Sequence, residues 1–180
     1  MTKQIYLIRH CEAEGQPAES PLTSNGHKQA EMLADFFSNL SVDQIISSPY
    51  LRAKESVRPL ADKKGLSLKV DERLHERILS TKNLPYWLPK LKETFVDLDL
   101  AFEGGESSRV ATSRAIQVIE ETLTEKYNST LIVTHGNLLS LILKHFDSSF
   151  GFKEWKMLTN PDVFRLDFTN NSKPSIKHLW

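Results

Sequence analysis

The sequence predicts an α/β fold: a three-layer sandwich with a mainly parallel sheet, helices on both of its faces, and a small irregular cap. Three observations carry this reading. Short apolar runs rich in Ile, Leu and Val alternate with longer segments whose apolar residues recur every three or four positions, the pattern of βαβ units. The run Thr130-Leu131-Ile132-Val133-Thr134 has no internal polar alternation, as a strand covered on both faces requires. Residues 78–103, with Pro85 and Pro89, fit neither period. A chain of 180 residues is long enough for one sizeable core, so we expect a single domain over 1–180 with 78–103 as a cap insertion.

Each element follows from its own punctuation. A first strand covers 4–8. Thr23-Ser24-Asn25-Gly26 supplies cap-type residues for a helix over about 24–39, whose apolar face is Ala30, Leu33, Ala34, Phe36 and Phe37. Val42 to Ile46 is a short strand. Ser48 and Pro49 suit the cap and first position of a second helix, which ends at Gly65 and should bend or break at Pro59. A third strand covers Leu66 to Val70. Gly104-Gly105-Glu106-Ser107 is a hinge into a long helix reaching about Tyr127, and Thr130 to Thr134 is a buried strand feeding a helix that runs to about Lys144. Val163 to Phe168 and Ser175 to Trp180 read as two strands around a turn at Asn170-Asn171. In the cap, Tyr86, Trp87, Leu88 and Phe95 could line a pocket, but read more simply as the cap's own core.

Composition narrows the function classes. Lys+Arg and Asp+Glu both total 23, a zero net charge that gives no general attraction to nucleic acid or to a membrane surface. Cys11 is the only cysteine, which rules out an intrachain disulfide and a cysteine metal cage. The opening Met-Thr-Lys-Gln begins no apolar leader, and no run reaches the ~18 apolar residues of a membrane span. We therefore expect a cytoplasmic protein.

The chemistry concentrates at strand ends. Tyr6-Leu7-Ile8-Arg9-His10 and Leu131-Ile132-Val133-Thr134-His135 both deliver a histidine where an apolar strand stops. Ligands of open α/β sheets bind at the carboxyl ends of parallel strands, so neighbouring strands would bring His10 and His135 together. Arg9 lies beside His10, and Arg52 sits in the first turn of the helix that follows another strand. Guanidinium forks match phosphate oxygens, and helix N-termini near Ser48, Ser107 and Gly136 would add backbone donors. Glu76, leaving the third strand, adds a carboxyl group. A neutral histidine, two cations, a second histidine and a carboxylic acid are the parts phosphoryl transfer asks for. A zinc site is disfavoured because His10, His135 and Glu76 lack ligand spacing and two arginines would repel the ion. A cysteine phosphatase would need arginine six positions after Cys11, where Pro17 stands.

Arg9-His10-Cys11-Glu12 resembles the Arg-His-Gly-Glu signature of the histidine phosphatase superfamily, which includes the cofactor-dependent phosphoglycerate mutases. The similarity continues, in family order, through Pro21-Leu22-Thr23-x-x-Gly26-x-x-Gln29-Ala30, Ser47-Ser48-Pro49-x-x-Arg52-Ala53, Leu74-x-Glu76-Arg77, Gly104-Gly105-Glu106-Ser107 and Val133-Thr134-His135-Gly136. The resemblance implies that His10 is the phospho-accepting nucleophile and that Arg9 and Arg52 bind the phosphoryl group. It implies that Glu76 donates a proton to the leaving group and later activates water, and that His135 stabilises the transferring group. Gly136 would offer a backbone donor, Gln16 stands where many relatives carry a phosphate-binding asparagine, and Thr23 matches a small hydroxyl residue near the pocket. No metal and no cofactor is implied, and the partner would be a small phosphorylated metabolite or phosphate.

Cys11 departs from the family's glycine, either as a small packing residue or as a redox-sensitive thiol. Three functions stay open: a phosphomonoester hydrolase, a mutase of the same chemistry, and a silent phosphate-binding module. The stretch between Glu76 and Gly104 is short for a mutase, which must keep water from its phosphohistidine. The five core positions are all present, which argues against a silent site. Nucleophilic His10 must be neutral and Glu76 protonated, so a bell-shaped pH dependence is expected.

Overall fold

In the computed structural model, which describes residues 2–169 and 173–180, successive residues of each apolar run enter cores on opposite faces of one sheet. In β1 (Thr2–Arg9), Ile5 and Leu7 face one way and Tyr6 and Ile8 the other. β2 (Gln44–Ser47) divides Ile46 from Ile45, and β4 (Ser129–Thr134) divides Ile132 from Leu131 and Val133. The first face is covered by α4 (Ser108–Thr124) and α5 (Gly136–Phe146), the second by α1 (Ser24–Phe36) and α2 (Leu51–Lys64). With β3 (Leu68–Val70), β5 (Asp162–Thr169) and β6 (Ser175–His178), the described strands form one sheet in the order β3-β2-β4-β1-β5-β6.

The first four of these strands are mutually parallel, and β5 and β6 add antiparallel to the β1 edge. Parallel register places Arg9 opposite Thr134 and Ser47 opposite Val133, so β1, β2 and β4 stop at the same level. The ladder continues one step beyond: His10 N donates to Thr134 O at 3.0 Å and Ser48 N to Val133 O at 2.9 Å. Three chain exits therefore leave the sheet side by side.

Several boundaries differ from expectation, each for a local reason. α2 runs through Pro59 without a break, because its buried face of Ala53, Val57, Leu60 and Ala61 holds the helix down despite the missing backbone donor. Its first helical residue is Leu51, and Tyr50 at the N-cap makes no side-chain cap bond. α6 (Phe152–Met157) was not anticipated: six residues are too few for a period, and none is fully buried. The turn expected at Asn170-Asn171 lies outside the described residues.

The 78–103 stretch departs most. Its ends are drawn together where Glu106 N donates to Ile78 O at 2.9 Å and Thr81 N to Glu103 O at 3.1 Å. A Cβ on Gly105 would lie 2.2 Å from Leu79 O, so only glycine permits this approach. Between these ends the one α-helix is α3 (Trp87–Glu93). Tyr86, Trp87 and Leu88 are 82%, 53% and 37% exposed, which corrects the expectation that they form the segment's own core. A single seven-residue helix has no second layer to pack against; Leu91 and Phe95 join the main core, with Phe95 edge-on to Phe152. Among the described residues no helix is long and apolar enough to cross a membrane.

Candidate active site

His10 stands at the first exit. Its Nδ1 lies 2.6 Å from Cys11 O, and because a carbonyl only accepts, the ring proton sits on Nδ1. Arg52 Nε donates to the other ring nitrogen, Nε2, at 3.2 Å, so Nε2 carries a lone pair. Burial, with smaller contributions from the Arg52 and Arg9 charges, pushes the His10 pKa down to about 3, against a raising effect of the Cys11 bond. The result is a neutral imidazole with a defined nucleophilic nitrogen.

His135 is fully buried, its ring centroid 5.1 Å from that of His10. Ser48 Oγ bonds its Nε2 at 2.7 Å, while Nδ1 is buried without a partner among the described residues. Burial, then the His10 and Arg52 charges, holds its pKa well below the usual histidine value. Tyr50 places its ring edge-on to His135, with centroids 4.8 Å apart, and lies 4.9 Å under the Arg52 guanidinium. Ser48 thus serves His135 instead of capping α2.

The two arginines are fixed by main-chain oxygens. Arg52, 1% exposed, donates through Nη1 to Gln16 O at 3.0 Å and Pro17 O at 2.8 Å. Arg9 donates through Nη1 to Leu158 O at 3.0 Å and Thr159 O at 3.3 Å, leaving its buried Nε unpartnered among the described residues. Burial pulls both guanidinium pKa values below their ordinary level. A Cβ on Gly136 would lie 3.1 Å from Arg9 Nε, so the glycine lets the guanidinium press against the first turn of α5. Gln16 meets Arg52 through its backbone carbonyl and has an exposed side chain. Thr23 Oγ1 caps α1 by accepting from Gly26 N at 2.9 Å and donates to Glu12 at 2.7 Å.

Glu76 sits against α5. Its Oε1 accepts from Arg77 N at 2.8 Å and Leu138 N at 3.0 Å, and its Oε2 from Asn137 N at 3.1 Å. The donors at the start of α5, expected to await an anion, are therefore partly taken by this carboxylate, since His135 at the N-cap offers them no side-chain bond. Glu76 acts electrostatically on both Arg9 and Arg52, which places it on the same side of the sheet edge.

The remaining motif residues build the loop after His10. Cys11 is fully buried, its N donating to Ser56 Oγ at 2.8 Å, and burial pushes the thiol up to about 11. It does not adopt a positive φ, so position 11 makes no use of glycine's freedom. Gln29 Oε1 accepts from Glu12 N at 2.8 Å, and a Cβ on Gly26 would fall 2.0 Å from Glu12 O. The sequence reading missed Asn160, whose Nδ2 donates to His10 O at 2.7 Å, and buried Asp162, which adds to the field on Arg9 and accepts from His178 at 2.6 Å. Their signal was positional: the polar run Asn160-Pro161-Asp162 opens the strand that pairs antiparallel with β1 at Arg9. Asn137 was also missed, with both side-chain polar atoms buried and, among the described residues, unpartnered.

The family model of the histidine phosphatase superfamily, branch 1, matches residues 5–179. A candidate phosphoserine phosphatase of Hydrogenobacter thermophilus is 31% identical over 156 residues, covering 78% of this chain and 77% of the relative. A candidate phosphoglycerate mutase (GpmB) of Yersinia pestis is 29% identical over 183 residues, covering 92% and 85%. Among solved structures, a mycobacterial glucosyl-3-phosphoglycerate phosphatase superposes with a TM-score of 0.78 at 21% identity, covering 99% of this chain and 97% of its own. With the family match spanning nearly the whole sequence, this chain belongs to branch 1 of the histidine phosphatase superfamily.

Proposed function

We propose that this protein hydrolyses small phosphomonoesters through a covalent phosphohistidine on His10. One observation carries the reading: His10 is held neutral, with its lone pair on Nε2 beside a buried guanidinium. In the first step Nε2 attacks phosphorus, the bond to the ester oxygen breaks, and Glu76 gives that oxygen a proton. The proton rides on Oε2, because Oε1 already accepts two N–H bonds whereas Oε2 accepts one. In the second step Glu76 takes a proton from water, the oxygen attacks phosphorus, and the P–N bond breaks to regenerate His10 and Glu76. Arg9 and Arg52 neutralise the phosphoryl oxygens, and His135 Nδ1 with the Gly136 backbone completes the cradle. Gln16, through its carbonyl, and Thr23, through Glu12, act by holding Arg52 and the His10 loop in place.

The names of the relatives, a phosphoserine phosphatase and a glucosyl-3-phosphoglycerate phosphatase, support a small phosphorylated metabolite as substrate. The single short helix of the 78–103 segment supports hydrolysis over intramolecular transfer, because a mutase must shield its phosphoenzyme from water. Purified protein should release p-nitrophenol from p-nitrophenyl phosphate, with the activity lost in His10→Ala. Acid-labile, alkali-stable label from ³²P-substrate should appear on the wild type alone. Full activity in His10→Ala would overturn the reading.

A further inference from the structure

Glu106 and Arg114 form a two-point fork: Arg114 Nη2 donates to Glu106 Oε1 at 2.5 Å and Nε to Oε2 at 3.1 Å. The Glu106 and Arg114 side chains are only 16% and 14% exposed. Burying such a pair costs desolvation that the attraction roughly offsets, so net stability is a poor reason for its presence. What the fork touches next is more informative. Arg114 Nη1 donates to the carbonyls of Arg73 and His75, the latter at 3.0 Å. Glu106 O accepts from Arg77 Nε at 3.0 Å, and Glu106 Oε1 accepts from Ile78 N at 3.3 Å.

The pair therefore grips residues 73, 75, 77 and 78, on both sides of Glu76, and makes no hydrogen bond to the Glu76 carboxyl itself. The carbonyl between them, Leu74 O, is held by Thr134 Oγ1 at 2.8 Å, which ties the same loop to the end of β4. Arg77 extends the grip by donating to Thr94 Oγ1 at 3.0 Å. The loop has little regular structure of its own, only a 3₁₀ turn over Glu72–Leu74, so its shape is set from outside. Gly105 lets Glu106 come this close.

We propose that the Glu106–Arg114 pair is a positioning device for Glu76: it fixes the backbone from which the proton-donating carboxyl projects. This rests on the reading of Glu76 as the acid of the first step. Proton donation matters in proportion to the basicity of the leaving oxygen. A p-nitrophenolate departs unaided, whereas a phenolate lacking the nitro group needs the proton. Misplacing a reacting group by about 1 Å costs up to ~100-fold, so a slackened fork should show itself selectively on basic leaving groups.

The test is kcat/KM across a series of substituted phenyl phosphates, a constant that ends at phosphoenzyme formation and excludes the water step. Wild type should show a shallow dependence on leaving-group pKa. Glu76→Gln, as the reference, and Glu106→Gln should both steepen it, with Glu106→Gln losing ~10-fold or more on phenyl phosphate and less than ~3-fold on p-nitrophenyl phosphate. Equal loss across the series in Glu106→Gln, or no loss, overturns the positioning role while Glu76→Gln still steepens the plot. A plot that Glu76→Gln leaves unchanged overturns the assignment of Glu76 and the positioning role together. Should Glu106→Gln fail to fold, Glu106→Asp, which keeps the charge and shortens the reach by one methylene, carries the same test with the same expected steepening.

Discussion

Replacing His10 with asparagine should make the fold less sensitive to acid. In the native protein His10 titrates at about 3, against 6.5 for an ordinary histidine, because burial disfavours its charged form. A depressed native pKa means that the unfolded chain binds a proton which the folded chain refuses. The associated stability is fully present above pH 6.5 and is lost progressively as pH falls toward about 3. Each pH unit in that window is worth ~1.36 kcal/mol, so at pH 4.5, two units below 6.5, the histidine costs about 2.7 kcal/mol relative to neutral pH. Asparagine can still donate to Cys11 O but binds no proton. Urea titrations of wild type and His10→Asn at pH 7.5 and 4.5 measure the difference directly. The variant's loss of stability between the two pH values should be smaller by ~2–3 kcal/mol, on the linkage just worked. His135, also depressed, keeps some slope in both proteins. Equal losses in the two proteins would refute the part-buried, neutral His10. The same displacement moves the acid limb that His10 sets on kcat/KM to about pH 3, well below where an ordinary histidine would put it.

Gly136→Ala places a methyl group 3.1 Å from Arg9 Nε; the flexible side chain yields, so the fold should survive while inhibition by inorganic phosphate weakens ~10-fold, or about 1.4 kcal/mol. An unchanged inhibition constant would show that Arg9 does not need its seat on α5. Cys11, buried with its thiol pushed up to about 11, should resist iodoacetamide at pH 8 in the folded protein and react fully in urea, and peroxide should leave activity intact. Gly26→Ala meets the Glu12 carbonyl at 2.0 Å, a backbone atom that cannot step aside; a melting temperature lower by several degrees, with activity loss, is expected from calorimetry and assay together.

How much of this was legible in the sequence depended on the range of the interaction. The parallel strands were readable because Ile5 to Ile8 and Leu131 to Val133 are apolar at every position, and the matching histidines at their ends located the site edge. Arg9, His10, Arg52 and His135 lie at strand or helix boundaries, where local punctuation marks them, and Glu76 lies in the loop that follows β3. The motif resemblance added their roles. What stayed hidden was non-local. Nothing in Ser48 marks a hydroxyl bound for His135 at 87 positions' distance, or in Asn160 an amide bound for His10 O. The expected core within 78–103 was misread for a different reason: aromatic spacing suggested a core in Tyr86, Trp87 and Leu88, but a core needs a second layer, and the segment has none.

The charge arrangement supports the proposed reading of the site as one for a doubly charged phosphoryl group. Among the described residues neither Arg9 nor Arg52 touches a carboxylate; both are held by carbonyl oxygens, and Arg52 also by the neutral His10. The acidic groups that act on them, Glu76 and Asp162 for Arg9 and Glu76 for Arg52, do so at a distance. Glu76 is meanwhile occupied by three backbone N–H groups, and Asp162 by Thr159 N and His178. Carbonyls fix a guanidinium's orientation without cancelling its charge, so the pocket keeps two aimed positive charges out of bulk water. Burial is the main reason the pKa of His10 is depressed, and the same two charges add to it in keeping the imidazole neutral before phosphate arrives. A carboxylate partner on either arginine would have made the free protein more comfortable, but it would have competed with the phosphoryl oxygens and loosened the control on His10. On the proposed reading, the preference for carbonyls at both arginines would leave their charges free for the anion and add to the burial that prepares the attacking atom.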